Sequence, residues 1–125
     1  MKQFNGVFPI SNEDTNALPV KDFDAAIAFY ETVMGFTVIA RDSTTAVVKR
    51  EDAQIGLTRD VEHKPNQAGS CYFPVNDVEA LRSELDGKGG EVGEMRIDQY
   101  SGKHYRVFFL REAENGYCFC FGQPL

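Results

Sequence analysis

Leu18-Pro19-Val20-Lys21-Asp22-Phe23-Asp24-Ala25-Ala26 returns fifty-five residues later as Phe73-Pro74-Val75-Asn76-Asp77-Val78-Glu79-Ala80-Leu81. Each copy reads as a short apolar strand, a turn, an Asp able to cap free amides, and a helix. Two copies at this spacing do not make a solenoid, so they predict one pseudo-symmetric domain of two similar modules. After the first copy, Phe23, Ala26, Ile27, Tyr30, Val33 and Met34 fall on one helical stripe, and Gly35 supplies a stop. The spacing predicts a helix over 22–34. After the second copy, Val78, Leu81 and Leu85 form the stripe of a helix over 77–86, ended by Gly87, Gly89 and Gly90.

Between and beyond the helices the pattern changes to strands. Residues 36–40, 45–49 and 54–59 are β-branched or alternating runs, separated by Asp42-Ser43 and Glu51-Asp52. Residues 91–97, 105–110 and 117–121 repeat the pattern, with a tight turn at Asn115-Gly116. Each module therefore reads β-α-β-β-β. Module one covers about 14–60, a polar linker with Pro65 covers about 60–69, and module two covers about 70–122. Residues 1–13 stand outside the repeat as an N-terminal arm. Its Phe4, Val7, Phe8 and Ile10 need burial, in an extra strand or on a neighbouring chain.

The chain has 125 residues, 42% hydrophobic and 26% charged, which suits one domain with its own core. No apolar run approaches the roughly 18 residues of a membrane helix, so no membrane partner is expected. Residues 1–10 lack a cationic start followed by an apolar block, so no secretory leader is expected. A net charge of -6 repels polyanions, which argues against nucleic acid and favours a cationic ligand. Cys71, Cys118 and Cys120 are too few, and odd in number, for a disulfide framework. They read as reduced thiols of a cytoplasmic protein.

Leu18-Pro19-Val20 with Asp22, then Ala26-Ile27-Ala28-Phe29-Tyr30 and Gly35-Phe36, resembles the first module of the glyoxalase/bleomycin-resistance/dioxygenase group, the vicinal oxygen chelate superfamily. Phe73-Pro74-Val75-Asn76-Asp77-Val78 resembles the second. Glu112-Ala113-Glu114-Asn115-Gly116-Tyr117 stands where the family usually has an Asp-Pro-x-Gly turn. The resemblance spans roughly residues 15–122. It implies an α+β fold in which two βαβββ modules form a cupped, open barrel-like mixed sheet with the helices outside. It also implies a cavity often completed by a second chain, hence a homodimer.

Enzymes of this group hold a divalent metal through a His or Gln on the first strand of each module and a Glu on the last. The resemblance puts those positions at Thr15, Ser70, Gly56 or Thr58, and Cys120. Thr15, Ser70 and Thr58 offer only neutral hydroxyls and Gly56 no side chain, and a lone Cys120 thiolate, though able to hold a soft metal, makes no site without partners. No metal and no other cofactor is therefore expected. His63, in a charged stretch, reads as a solvated loop histidine. His104, at a strand entry, reads as a rim group.

Alternation phased from these positions turns Thr15, Ser70, Tyr72, Cys118 and Cys120 toward the cavity, and Tyr117, Phe119 and Phe121 toward the core. On the strand over 105–110 either parity can face inward, one offering Arg106 and Phe108 and the other Tyr105, Val107 and Phe109, so Phe108 and either Tyr105 or Phe109 are candidates for stacking on a ligand, with His104 at the mouth. The reading that follows is a metal-free binding or sequestering protein, without catalytic residues. Its ligand is a small organic molecule, aromatic or cationic, such as an antibiotic, held in a cavity at a dimer interface. The alternative is a metal-dependent lyase, isomerase or dioxygenase with a non-standard site built from His63, His104, Glu62 or Cys120.

Overall fold

Both helices form where the repeat places them, and for the reason it suggests. Helix α1 spans Phe23–Thr32 and α2 spans Val78–Gly87. The Asp before each keeps extended backbone and accepts a hydrogen bond from the amide three residues on, Asp22 from Ala25 and Asp77 from Ala80, both at 3.1 Å. Helix α1 buries Phe23, Ala26, Ile27 and Tyr30, and α2 buries Val78, Leu81 and Leu85. Helix α1 stops short of Met34, which still reaches the core. Gly35 reverses the chain at a φ of 73°, a conformation that favours glycine.

The computed structural model describes residues 2–10 and 14–125. Met1 and residues 11–13 of the arm lie outside the described residues. The strands are β1 (Phe8–Pro9), β2 (Leu18–Val20), β3 (Thr37–Arg41), β4 (Thr45–Arg50), β5 (Ala53–Arg59), β6 (Ser70–Pro74), β7 (Glu91–Val92), β8 (Arg96–Tyr100), β9 (Lys103–Glu112) and β10 (Tyr117–Pro124). They make two mixed sheets of α+β type. The first runs β2-β5-β4-β3, and the second runs β1-β6-β10-β9-β7, with β8 also paired to β9. In both, the strand before the helix lies parallel to the last strand of its repeat, β2 to β5 and β6 to β10. The single strand expected over 91–97 is instead two, β7 and β8. Neither helix is long and apolar enough to cross a membrane.

One core serves both sheets. Leu18, Val48, Ile55 and Leu57 of the first sheet join Phe73, Phe119, Phe121 and Leu110 of the second. Aromatic rings tie the halves together: Tyr30 meets Phe119 edge-on at 5.9 Å, and Phe36 meets Phe73 at 6.2 Å. The helix-facing sides of both sheets thus point into the same core. Their opposite sides, here the outer faces, turn away from it.

The arm lies on its own chain. Phe4 is fully buried, edge-on to Phe36, Phe73 and Phe121, and β1 pairs with β6. The Glu51 carboxylate clamps it, accepting the amides of Gln3 and Phe4 at 2.8 to 2.9 Å.

Candidate ligand-binding face

The registers around β10 assemble the outer face of the second sheet. Cys118 and Cys120 lie opposite Ser70 and Tyr72 on β6, and opposite Arg111 and Phe109 on β9. Tyr105 and Val107 continue the row and face Asp98 and Arg96 on β8. Paired residues share a face, so Ser70, Tyr72, Tyr105, Phe109, Cys118 and Cys120 form one surface. Gly122 makes room for it: a Cβ there would come within 2.6 Å of the Tyr72 hydroxyl and 3.0 Å of Val107. Tyr72 therefore lies along the sheet over Gly122.

Four of the expected residues, Ser70, Tyr72, Cys118 and Cys120, are thus brought together with Tyr105. Three others are elsewhere. Phe108 is fully buried in the core and stacks on Phe121 with ring centroids 5.0 Å apart. The parity of β9 is set by Phe108 and Leu110, both core residues, and it hands the outer position to Phe109. His104 shares the parity of Arg106 and Phe108, so alternation puts it on the opposite side of the sheet, exposed at the strand end. Thr15 sits in a turn before β2 on the first sheet, where its carbonyl accepts the Gly56 amide at 2.9 Å. It does not converge with the residues of the second sheet.

His63 also departs from expectation. It is only 3% exposed, stacks parallel to Tyr117, and has Nε2 at 2.8 Å from the Asn115 carbonyl. The loop between β5 and β6 folds back over the β9–β10 turn, where Gly116 passes against the Pro65 carbonyl, and this covers the ring.

Sequence reasoning left open the parity that presents Phe109 and missed Arg96. The Arg96 guanidinium lies 4.8 Å from the Phe109 ring centroid and pairs with Asp98 at 3.2 Å. Only the β8–β9 register, closed by Ser101-Gly102 in left-handed backbone, aims Arg96 at this ring. Burial sets the protonation of the face. It pushes Tyr72 up to about 12, helped by Cys120 and Tyr105. It pushes Cys120 up to about 12, helped by Asp98 and Cys118 and opposed by Arg96. Cys118 is also raised by burial, against the pull of Arg111 and Arg96. The phenol and both thiols are therefore neutral at pH 7: hydrogen-bonding and packing groups, not nucleophiles.

The positions that hold a divalent metal in related enzymes do not fit one here. Thr15, Thr58 and Ser70 offer neutral hydroxyls, Gly56 offers nothing, and Cys120 is held as a thiol. Among the described residues no three His, Cys, Asp or Glu side chains cluster as a metal site. The two pairs of positions also lie on outer faces that turn away from a shared core.

Comparison with known proteins agrees with this fold. The family model "Glyoxalase/Bleomycin resistance protein/Dioxygenase superfamily" matches residues 14–121. A search of curated proteins finds no match. Among solved structures, a bleomycin resistance determinant encoded on the transposon Tn5 is similar, with TM-score 0.76 and 20% identity over 90% of this chain and 98% of that one. A bleomycin-binding protein complexed with bleomycin has TM-score 0.74 and 18% identity over 90% and 98%. The bleomycin-binding protein of Streptomyces verticillus, complexed with copper(II)-bleomycin, has TM-score 0.66 and 20% identity over 91% and 97%. At these identities the likeness concerns the fold.

Proposed function

Since this chain belongs to the glyoxalase/bleomycin resistance protein/dioxygenase superfamily, we propose that it is a metal-free binding protein for a small organic molecule, seated on the outer face of the second sheet. One observation carries the reading. The face presents Tyr72, Tyr105 and an Arg96-capped Phe109 around thiols that burial keeps neutral. This is a surface for stacking and hydrogen bonding, with no group poised for proton transfer or attack. A metal-dependent lyase or dioxygenase finds no support in its donor set. Bleomycin bound to a protein of this fold supports an organic ligand of similar scale. Cysteines outside any disulfide, Cys71, Cys118 and Cys120, agree with a cytoplasmic setting.

Ligand burial comes from a second copy. The outer faces turn away from the core, and apolar side chains stay exposed beside them, Phe8 at 57% and Ile39 at 53%. A homodimer that sets the first-sheet face of one copy over the second-sheet face of the other covers both. Local charge on this face points the other way from the net charge. Arg96, Lys103 and Arg111 share the outer parity of the second sheet with Glu91 and Asp98, leaving one positive charge in excess. An aromatic ligand with a neutral or acidic substituent fits better than a cation.

Calorimetric titration with metal-free bleomycin, beside a thermal-shift screen of planar aromatic acids and amines, tests the reading. Tyr72→Ala and Cys120→Trp are expected to weaken any ligand found by at least tenfold, the second by filling the face. Equal affinity in wild type and both variants would place the site elsewhere. Elemental analysis showing about one zinc, nickel, iron or manganese per chain would replace the binding reading with the enzymatic one.

A further inference from the structure

Seven of the thirteen Lys and Arg residues take no part in the ion pairs seen among the described residues. Three of the seven, Lys21, Arg59 and Lys64, surround one depression of about 700 Å³. It lies away from the outer faces, where β2 runs into α1, where the chain leaves β5, and beside the β9–β10 turn. Its wall is apolar and fixed. Phe23 is buried with the Arg59 guanidinium 5.3 Å from its ring centroid, Val61 and Pro65 flank it, and buried His63 is held by Asn115.

Two carboxylates also line the depression. Asp22 is engaged with the Ala25 amide as the cap of α1. Glu114 is the other, and the lining keeps one positive charge in excess within a chain of net charge -6. Gathering unneutralised cations costs energy, and a bound anion removes that cost. Arg59, already laid on Phe23, loses little freedom when its remaining donors engage an oxyanion.

We propose that this depression binds a small organic anion, a phosphate or carboxylate head group joined to a short apolar body. The head group meets Lys21, Arg59 and Lys64, and the body packs on Val61 and Pro65. The site is independent of the outer-face site.

The test uses the intact chain and three probes at low ionic strength: phenyl phosphate, benzoate and inorganic phosphate. Phenyl phosphate is expected to bind saturably and to shift the amide resonances of Phe23, Arg59 and Val61. Arg59→Ala and Lys64→Ala each weaken it at least fivefold, whereas Arg82→Ala, on α2 and outside the lining of the depression, leaves it unchanged. Tighter binding of phenyl phosphate than of benzoate identifies a phosphate head group, and the reverse order a carboxylate. Inorganic phosphate binding as tightly as phenyl phosphate would overturn the apolar part. No saturable binding at millimolar phenyl phosphate, or equal binding by wild type, Arg59→Ala and Lys64→Ala, would overturn the site itself.

Discussion

At the scale of single residues, neighbours in sequence have opposite fates. Phe108 fills the core and Phe109 lies on the outer face, half-buried under Arg96. Phe108→Ala is expected to cost about 3–5 kcal/mol of stability, the range for an aromatic truncated in a core. Phe109→Ala should cost well under that and instead weaken ligand binding. Urea denaturation of the two variants checks the parity directly. Gly56 is a second such position: a Cβ there would run into the Asn16 backbone carbonyl, which cannot swing aside as a side chain can. Gly56→Ala is therefore expected to destabilise the fold by about 2 kcal/mol or more, while Gly122→Ala, which meets only the end of Tyr72 and Val107, is expected to disturb the binding face with a smaller loss of stability. None of these contrasts was legible in the sequence. Phe108 and Phe109 are chemically identical, and a glycine in a strand does not announce what passes beside it.

At the scale of elements, the capped helices were legible because their signals are local. An Asp three residues before the amide that it accepts, an apolar stripe and a glycine stop are all read within one window. Asp22→Ala and Asp77→Ala are each expected to cost about 1 kcal/mol, additively, since the caps serve separate helices. The arm is different. Its apolar residues signalled burial, but what holds it is Glu51, at a φ of 54° in the β4–β5 turn. Glu51→Asn keeps a residue that tolerates left-handed backbone and removes the reach of the carboxylate. It is expected to abolish the hydrogen-exchange protection of the Gln3 and Phe4 amides while α1 and α2 stay protected. Protected arm amides in that variant would show that Phe4 alone anchors the segment. The split of 91–97 into β7 and β8 was equally hidden, because two short edge strands on β9 carry no long periodic run.

At the scale of the whole molecule, two carboxylates are tuned in opposite senses, one by ion pairing and one by burial. Arg50, with Lys88, holds Glu84 below the usual carboxylate range, and burial pushes Glu112 up despite the Asn115 amide that it accepts. A carboxyl lowered in the folded state stabilises above its unfolded value, near about 4.3, and loses that contribution as pH falls through the folded value. A raised carboxyl does the reverse: its contribution is full below about 4.3 and is lost as pH rises through the folded value. Glu112→Gln keeps an acceptor for the Asn115 amide and is expected to raise the urea midpoint at pH 7 without raising it at pH 4. Light scattering at micromolar concentration should give two chains per particle, and Phe109→Glu should shift the equilibrium to monomer; a wild-type monomer would remove the shared cavity. The amino-acid sequence by itself determined the α+β class, the repeat, both capped helices and the core phase of β10, because propensity, capping and alternation act over a few residues. Tertiary structure alone decided that both sheets share one core and turn their other faces outward, that β9 presents Phe109 and not Phe108, that His63 is buried, and that Arg96 caps a ring. Each of these depends on which strand lies beside which and in what register, and long-range pairing is set by the packing of the whole chain.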